Sequence, residues 1–328
     1  MFSGNPLYSF AVDALTFVRE FLRSPHHVDG ERFLRAFVPQ QKLPPIMGIN
    51  MANELQIFVT DPKVTQQIFT NVNKYHSKAE SFRDMMHAWT PQSIIFQATC
   101  EPDYTPKRKA LSSAFFKSKL KSFEEIIKNV TYKQLAESEE VINLPMFFLD
   151  LVSRILMNIA VGPTHEKTLV EYEQEDGKIV KMPLGRHIST MIEDLIWKIV
   201  QVQNMVEPSL VKRNITARDF RFKRNVENEK NVIRKMIRER KEGKSGTYFK
   251  DQSDLLSVLV DNEFYRDQEE KIVDEVIMIF LAGSKTTQNT AANMFCYFEK
   301  NPEIKKKVQK EIDDKLTPLS DDIMGKFD

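Results

Sequence analysis

Cysteine is scarce in this sequence: the chain has 328 residues and only two cysteines, Cys100 and Cys296. Neither belongs to a Cys-x-x-Cys pair, which argues against a disulfide framework and against a cysteine-based zinc site. The six histidines form no His-Glu-x-x-His motif, so a helix-borne metal site has no support either. We therefore predict no metal-ligating cluster, and a reducing, intracellular compartment.

Long apolar runs are also lacking. The most apolar N-terminal stretch, PLYSFAVDALTFV, is interrupted by Asp13 and followed by Arg19 and Glu20, whereas a spanning helix needs about 20 predominantly apolar residues. No basic segment precedes it, as a secretory signal would require. We interpret residues 1–40 as an amphipathic lead-in and expect a cytoplasmic location for the chain as written. Peripheral membrane association stays open, and an anchor to the endoplasmic reticulum membrane would have to lie outside this chain.

An excess of one charge sign is absent as well. Lysine and arginine total 47 and aspartate and glutamate total 46, giving a net charge of +1, so charge alone predicts no nucleic-acid partner. The basic stretch at residues 212–244 has apolar residues at helical spacing and interleaved acidic residues: Asp219, Glu227, Glu229 and Glu239. This pattern favours a solvated helix face over a nucleic-acid surface.

Helical patterns dominate the rest of the chain. Residues 144–161 have the apolar density of a buried helix, and residues 188–211 return to helical period after a polar, glycine-bearing excursion at 162–185. The run from Leu55 to Thr60 favours a β-strand, and Asp61-Pro62 then starts a helix. We predict a mainly α fold with a small β component.

A second cap followed by proline, Thr105-Pro106, predicts another helix start. Its first turn carries Lys107, Arg108 and Lys109, whose charges oppose the helix dipole. Two explanations are open at this point: an anion lies beside the turn, or the three cations are simply solvated.

The longest helical pattern runs without proline from about Asp267 to Lys300. Apolar residues occupy all its faces, which is typical of a helix buried inside a large protein. About 33 residues at about 1.5 Å each would form a rod of about 50 Å, long enough to cross a domain. Asn301-Pro302 then ends the helix and starts another, basic one.

The middle of this pattern, FLAGSKTTQNT, is unusual for a buried helix. Gly283 costs about 1 kcal/mol relative to alanine in a helix interior, and its missing side chain lets another body approach the backbone. Thr286 stands four residues after Ala282, so its hydroxyl can bond that carbonyl and widen or bend the helix. The sequence leaves open whether this serves helix packing or a functional groove.

Residues 282–287, AGSKTT, resemble the oxygen-binding groove in the central helix of the cytochrome P450 heme-thiolate monooxygenases, whose pattern is Ala/Gly-Gly-x-Asp/Glu-Thr-Thr. Three other segments occur in the family's order. YTPKRKALSSAFF is similar to its Trp-x-x-x-Arg helix, IFVTDPKVTQQIF to a strand and helix near its N-terminus, and SDLLSVLVDNE to the helix before the central helix. The resemblance covers most of residues 40–328.

The resemblance implies a P450-like fold, mainly α with a small β component, built round one long central helix and C-terminally incomplete. We predict a single incomplete domain over residues 1–328, with the lead-in at 1–40 and the fold at 41–328 reaching just past the central helix. The expected cofactor is heme.

The resemblance also implies the residues of the heme site. Arg108 stands where the family pairs an arginine with a heme propionate, and Tyr104 takes the place of the neighbouring tryptophan, whose hydrogen bond its phenol can replace. Ala282 and Gly283 are the implied heme contacts on the central helix.

Thr286 and Lys285 occupy the family's catalytic positions. The family has an acid at the position of Lys285 that helps deliver protons, and a lysine, with an ordinary pKa of about 10.4, is a poor proton relay. Phe96, Met278 and Leu281 are expected to line the substrate pocket. The implied partners are a small hydrophobic substrate and an NADPH-dependent reductase or a ferredoxin-type electron donor.

The family's iron ligand is a cysteine in a Phe-x-x-Gly loop beyond the central helix, supported by a Glu-x-x-Arg helix. Neither pattern occurs in the expected part of this sequence, and neither Cys100 nor Cys296 has the flanking glycines. Because the thiolate sets the redox chemistry of such enzymes, we predict that these 328 residues alone do not catalyse oxygen insertion.

Three hypotheses from different classes therefore remain. The chain is a shortened product or incomplete gene model of a monooxygenase, or a heme-free helical protein that binds a partner or lipid. The third hypothesis, nucleic-acid binding through residues 212–244, ranks last and would require an affinity that falls steeply with salt. A bound heme distinguishes the first hypothesis from the second.

Overall fold

The computed structural model describes residues 44–51, 54–71, 83–84, 86–112, 117–138, 141–199, 201, 204, 208–245 and 254–316. The predicted lead-in at residues 1–40 lies outside these ranges. Most of the described residues are helical, as the sequence predicted.

Nine α-helices lie within the described ranges: α1 (Pro62–Thr70), α2 (Tyr104–Ser112), α3 (Lys117–Ala136), α4 (Leu144–Ala160), α5 (Leu184–Ile199), α6 (Ala217–Lys241), α7 (Leu255–Asp261), α8 (Glu269–Lys300) and α9 (Pro302–Leu316). Short 3-10 turns occur at Pro163–His165 and Pro208–Lys212. The predicted helices at 144–161 and 267–300 correspond to α4 and α8.

Two antiparallel strand pairs provide the small β component. β1 (Ile46–Met51) pairs with β2 (Glu54–Val59), with Ile46 opposite Val59, and β2 corresponds to the strand predicted from Leu55 to Thr60. β3 (Leu169–Glu173) pairs with β4 (Ile179–Pro183). The second pair lies in the segment predicted only as a polar excursion, where the chain turns at Gly177 with a φ of 80°.

The helix starts follow their capping residues. Asp61 Oδ1 accepts from the backbone N–H of Lys63 at 2.7 Å and of Val64 at 3.1 Å, so α1 starts at Pro62 as predicted. Helix α2 begins at Tyr104, slightly before the predicted Thr105-Pro106 start.

The helix predicted at 188–211 is confirmed for residues 188–199 only. Helix α5 occupies 184–199, and Pro208 starts a separate 3-10 turn, because a proline cannot continue a helix interior. At the other end, Gly185 lies so close to α4 that an added Cβ would stand 2.5 Å from Ser153 Cβ.

The chain divides into two compact units. The smaller unit contains β1, β2, α1 and the turn at Pro208–Lys212, whereas the larger unit contains residues 86–97, 101–197 and 213–328. The prediction of a single domain stays a prediction.

Helix α8 is the centre of the larger unit and packs against α4, α6 and α7. The apolar residues of its first three turns include five that are fully buried: Ile272, Val273, Val276, Ile277 and Phe280. Beyond Gly283 most of its side chains are exposed, with Ser284, Gln288 and Ala292 still buried. The helix is therefore enclosed at its start and open on several faces toward its end.

A buried polar contact joins α6 to the neighbouring elements of this unit. Glu229 accepts a hydrogen bond from Trp89 Nε1 at 2.9 Å, and its other oxygen lies 2.9 Å from His187 Nδ1. All three side chains are fully buried. The contact fixes the segment of residues 86–97 against α5 and α6.

Candidate functional site

Thr286 and Ala282 form the feature that the sequence singled out in α8. The Thr286 hydroxyl donates to the Ala282 carbonyl at 2.6 Å, as predicted, and both residues are exposed. Small side chains and a satisfied hydroxyl leave this part of the helix surface accessible to a flat apolar group.

Gly283 lies against α4. A Cβ at this position would stand 3.2 Å from both methyl groups of Leu156, which is tighter than ordinary van der Waals contact. Helix packing therefore accounts for this glycine by itself, and a role of Gly283 in cofactor binding stays a prediction.

Tyr104 and Arg108 face one another across one turn of α2. Nη1 of Arg108 lies 3.4 Å from the Tyr104 hydroxyl, and the Arg108 side chain is exposed. A guanidinium beside a phenol offers several N–H donors and one O–H donor on one side of the helix. This donor set suits a carboxylate.

Lys107, from the same basic turn, has a different environment. Its side chain is buried, its Nζ donates to the Gln92 carbonyl at 2.6 Å, and it lies 3.7 Å from Glu275 Oε1. Burial lowers the Lys107 pKa, and the Glu275 carboxylate acts in the opposite direction. The anion suspected beside this turn is thus, for Lys107, a protein carboxylate, whereas Lys109 is exposed.

Glu275 of α8 is the centre of this buried group. Its Oε2 accepts from Ser93 Oγ at 3.0 Å, and its Oε1 accepts from the Ile94 backbone N–H at 2.9 Å and from the Tyr265 hydroxyl at 3.3 Å. Burial raises the Glu275 pKa to about 6 against the lowering effect of Lys107 and these donors. One carboxylate thus contacts a loop, helix α2 and the turn before α8.

The predicted pocket residues differ in exposure. Phe96 is buried in the loop that Glu275 contacts, and Met278 is buried in α8. Leu281 and Lys285 are half-buried. The structure thus brings Phe96 near the start of α8 through Ser93 and Ile94.

Glu275, Ala282 and Thr286 lie on one face of α8. They are spaced by seven and then four residues, so they recur at helical period, and Thr286 lies about 16 Å along the axis from Glu275. The loop with Phe96 and the helix with Tyr104 and Arg108 therefore meet α8 on the face that carries Ala282 and Thr286.

Sequence reasoning missed Glu275 and its neighbour Asp274. Asp274 Oδ2 accepts from the Gln92 backbone N–H at 2.8 Å, and its Oδ1 lies 2.7 Å from Lys230 Nζ. The sequence did contain a sign of this contact, because two adjacent acidic residues in an otherwise apolar helix need buried partners. Their partners, however, lie far away in the sequence.

Metal ligands are not clustered in the part of the chain that the structure describes, where no group of three or more histidine, cysteine, aspartate or glutamate side chains occurs. Cys100 and Cys296 are both exposed. Cys296 is ten residues beyond Thr286 on α8, about 15 Å along the helix, which is too far to ligate an iron held against Thr286. None of the helices in these ranges contains an apolar stretch of the length that spanning a lipid bilayer requires.

The family profile described as Cytochrome P450 matches residues 16–324. The chain belongs to the cytochrome P450 family. It is also 26% identical over 218 residues to the cyclooctat-9-en-7-ol 5-monooxygenase of Streptomyces melanosporofaciens. That match includes 65% of this chain but only 43% of the relative, so the chain spans less than half of the relative's length.

Proposed function

We propose that this chain is part of a heme-thiolate monooxygenase that inserts oxygen into a small hydrophobic substrate. The observation that carries this proposal is the joint placement of Tyr104 and Arg108 on a helix tied to the Ala282 and Thr286 face of α8. Family membership and the similarity to a monooxygenase support it. Electrons would come from an NADPH-dependent reductase or a ferredoxin-type donor.

The residues present fit one edge and one face of a heme. Arg108 and Tyr104 would bind a propionate, because a guanidinium makes charge-assisted hydrogen bonds to carboxylates. Ala282 and the back-bonded Thr286 would contact the apolar face of the ring. A heme with a thiolate ligand supplies the oxygen chemistry in such enzymes, and neither Cys100 nor Cys296 has the flanking glycines of the family's ligand loop.

The remaining predicted residues would act on the substrate side. Phe96, Met278 and Leu281 would exclude water and hold an apolar substrate. Thr286 would orient a water or hydroxyl at the reacting centre. Lys285 carries a donor where the family carries an acid, so we propose that proton delivery is slower than in family members with the acid.

Hemin titration of the purified chain, followed by absorbance, tests the proposal. We expect saturable binding that Arg108→Ala weakens about tenfold or more, the size expected for losing a charge-assisted hydrogen bond. Lys109→Ala is the matched control, because it removes a neighbouring exposed cation and should change the affinity little. Equal weakening by both variants would show nonspecific attraction and would contradict the assignment of Arg108.

Two further measurements test whether the endogenous protein has a thiolate-ligated heme. The intact mass of the endogenous protein establishes whether translation continues past Asp328. If it does, the spectrum of the reduced carbon monoxide complex of that protein tests for thiolate ligation.

The second candidate function is heme-free binding of a partner or lipid. Large apolar side chains near the end of α8, Met294, Phe295 and Tyr297, are between 44% and 52% exposed, and such patches mark interaction sites. Failure of the chain to bind hemin, together with hydrophobic association in solution, would favour this candidate.

A further inference from the structure

The carboxylate of Glu275 contacts two segments that the proposed function assigns to different tasks. The segment of residues 92–97, here called the Phe96 loop, provides the Ser93 hydroxyl and the Ile94 N–H that bind it. Helix α2, which carries Tyr104 and Arg108, provides Lys107 at 3.7 Å. The first segment would cover the substrate, and the second would bind a propionate.

Lys107 of α2 also contacts the Phe96 loop directly. Its Nζ donates to the Gln92 carbonyl at 2.6 Å, so α2 is tied to the Phe96 loop directly as well as through Glu275. The side chains of Lys107 and Glu275 are only 2% and 3% exposed. Breaking one side of a buried ion pair is costly, since it leaves an uncompensated charge in a medium of low dielectric constant.

We propose that Glu275 is a positioning residue that couples the Phe96 loop to helix α2, so that loosening either segment loosens the other. The coupling to heme and substrate rests on the proposed function, whereas the mechanical coupling of the two segments does not. Since Glu275 shares its face of α8 with Ala282 and Thr286, the position of both segments is set relative to the residues expected at the heme.

Asp274 provides a matched comparison within the same helix. It also binds the Phe96 loop, through the Gln92 N–H at 2.8 Å, but its second partner is Lys230 of α6 rather than a residue of α2. Both carboxylates are buried and each has a lysine partner. Of these two carboxylates, only Glu275 contacts both the loop and α2, so their variants distinguish coupling from a general loss of packing.

Hydrogen–deuterium exchange of the full chain without heme tests the coupling. We expect Glu275→Ala to raise amide exchange about tenfold or more in both residues 92–97 and residues 104–112, because charged hydrogen bonds are lost. Asp274→Ala keeps the Glu275–Lys107 contact, so it should raise exchange mainly at residues 92–97 and in α6, with a much smaller rise at 104–112 than Glu275→Ala causes. Equal effects of the two variants on 104–112 would overturn the proposal.

Two milder variants keep the test valid if an alanine variant unfolds. Ser93→Ala removes only a loop contact, yet it should also speed exchange in 104–112. Glu275→Gln retains an oxygen for the Ile94 N–H but loses the charge that attracts Lys107. It should therefore raise amide exchange less in residues 92–97 than in residues 104–112. Unchanged exchange in 104–112 for both variants would contradict the coupling.

Hemin titration of the same variants separates this proposal from the proposed function. Glu275→Ala and Glu275→Gln should both weaken hemin binding, even though Glu275→Gln keeps the loop contact with the Ile94 N–H. Asp274→Ala should weaken hemin binding much less. Coupled exchange in a chain that binds no hemin would support the positioning role and contradict the heme function. Hemin binding with no effect of Glu275 variants on affinity or exchange would overturn the positioning role alone.

Discussion

The Nζ atom of Lys107 lies 3.7 Å from Oε1 of Glu275, and both side chains are almost completely buried. They come from α2 and α8, and the same carboxylate binds Ser93, the Ile94 N–H and Tyr265. The first turns of the central helix are therefore joined to their surroundings by buried charged contacts, of which this is one and Asp274 with Lys230 is another.

The pH dependence of stability should report on this contact. Burial raises the Glu275 pKa from 4.5 to about 6, so between these pH values the folded protein holds more protons than the unfolded chain. The contribution of Glu275 to the unfolding free energy therefore falls as the pH rises through this window, by up to about 2 kcal/mol.

Urea unfolding of the wild type and of Glu275→Gln at several pH values measures this contribution. Other carboxyls, such as Glu270 beside Arg234, have lowered pKa values and act in the opposite direction, so only the difference between the two proteins is informative. The wild type should lose stability relative to the variant as the pH rises toward 6. A difference that is constant with pH would contradict the expectation.

Gly283→Ala tests whether this glycine serves the contact with α4. The new Cβ would stand 3.2 Å from both Leu156 methyl groups, so we expect a net loss of about 1 kcal/mol, although alanine favours the helix. In a Leu156→Ala background the space opens, and Gly283→Ala should then stabilise by up to about 1 kcal/mol. Thermal or urea unfolding of the four proteins completes the double-mutant cycle. If Gly283→Ala changes the unfolding free energy in the same direction in both backgrounds, the packing explanation is contradicted.

Glu229→Ala should be among the most destabilising substitutions in the larger unit. It removes the acceptor for Trp89 Nε1 and the partner of His187, all of them fully buried, and breaking such contacts costs about 3–5 kcal/mol. Glu229→Gln keeps an acceptor and should cost less. Lys235→Ala, on the same helix but 76% exposed, serves as the control. Tryptophan fluorescence during unfolding measures all three, and a small effect of Glu229→Ala would show that water replaces the lost partner.

Lys285→Asp tests the departure from the family pattern, and it depends on the proposed function. General acid catalysis contributes about 10²–10⁴-fold, so restoring an acid should raise product formed per oxygen consumed at least several-fold in the complete protein with its reductase. Lys285→Asn controls for loss of the amine alone. If Lys285→Asp and Lys285→Asn form equal amounts of product per oxygen consumed, the missing acid does not limit proton delivery at this site.

Thr286→Val and Thr286→Ser test the neighbouring hydroxyl. Serine retains the bond to the Ala282 carbonyl, which measures 2.6 Å in the wild type, and valine loses it. Because Thr286 is exposed, we expect either variant to change the unfolding free energy by less than about 1 kcal/mol. Only valine should lower product formed per oxygen consumed. A large loss of stability in the valine variant would instead assign Thr286 a structural role.

Local signals in the sequence predicted several elements of the fold. Asp61 binds the backbone N–H groups two and three residues ahead of it, and Thr286 binds a carbonyl four residues behind it. The hairpin β3–β4 was not predicted, because its strands are only five residues long. Exposed apolar residues such as Leu169 and Ile179 also blur the alternation that marks a half-buried strand. Pro208 was overlooked in the helix predicted at 188–211.

The candidate site was predictable in its parts but not in its arrangement. AGSKTT and the Tyr104 and Arg108 pair could be found because each motif is contained within one helix, where spacing fixes which residues share a face. Glu275 was missed because its loop partner Ser93 lies 182 positions earlier. No local pattern relates the two residues.

The sequence by itself determined where α1 and α4 start and how far α8 extends, and it carried the motifs that place the chain in the cytochrome P450 family. These features depend on backbone capping and helical period, which act over a few residues. Tertiary structure alone decided that Lys107 is neutralised by Glu275, that Gly283 accommodates Leu156, and that the Phe96 loop and α2 meet on the face of Thr286. Buried charges and close helix contacts gain their energy from partners brought together only when the core forms.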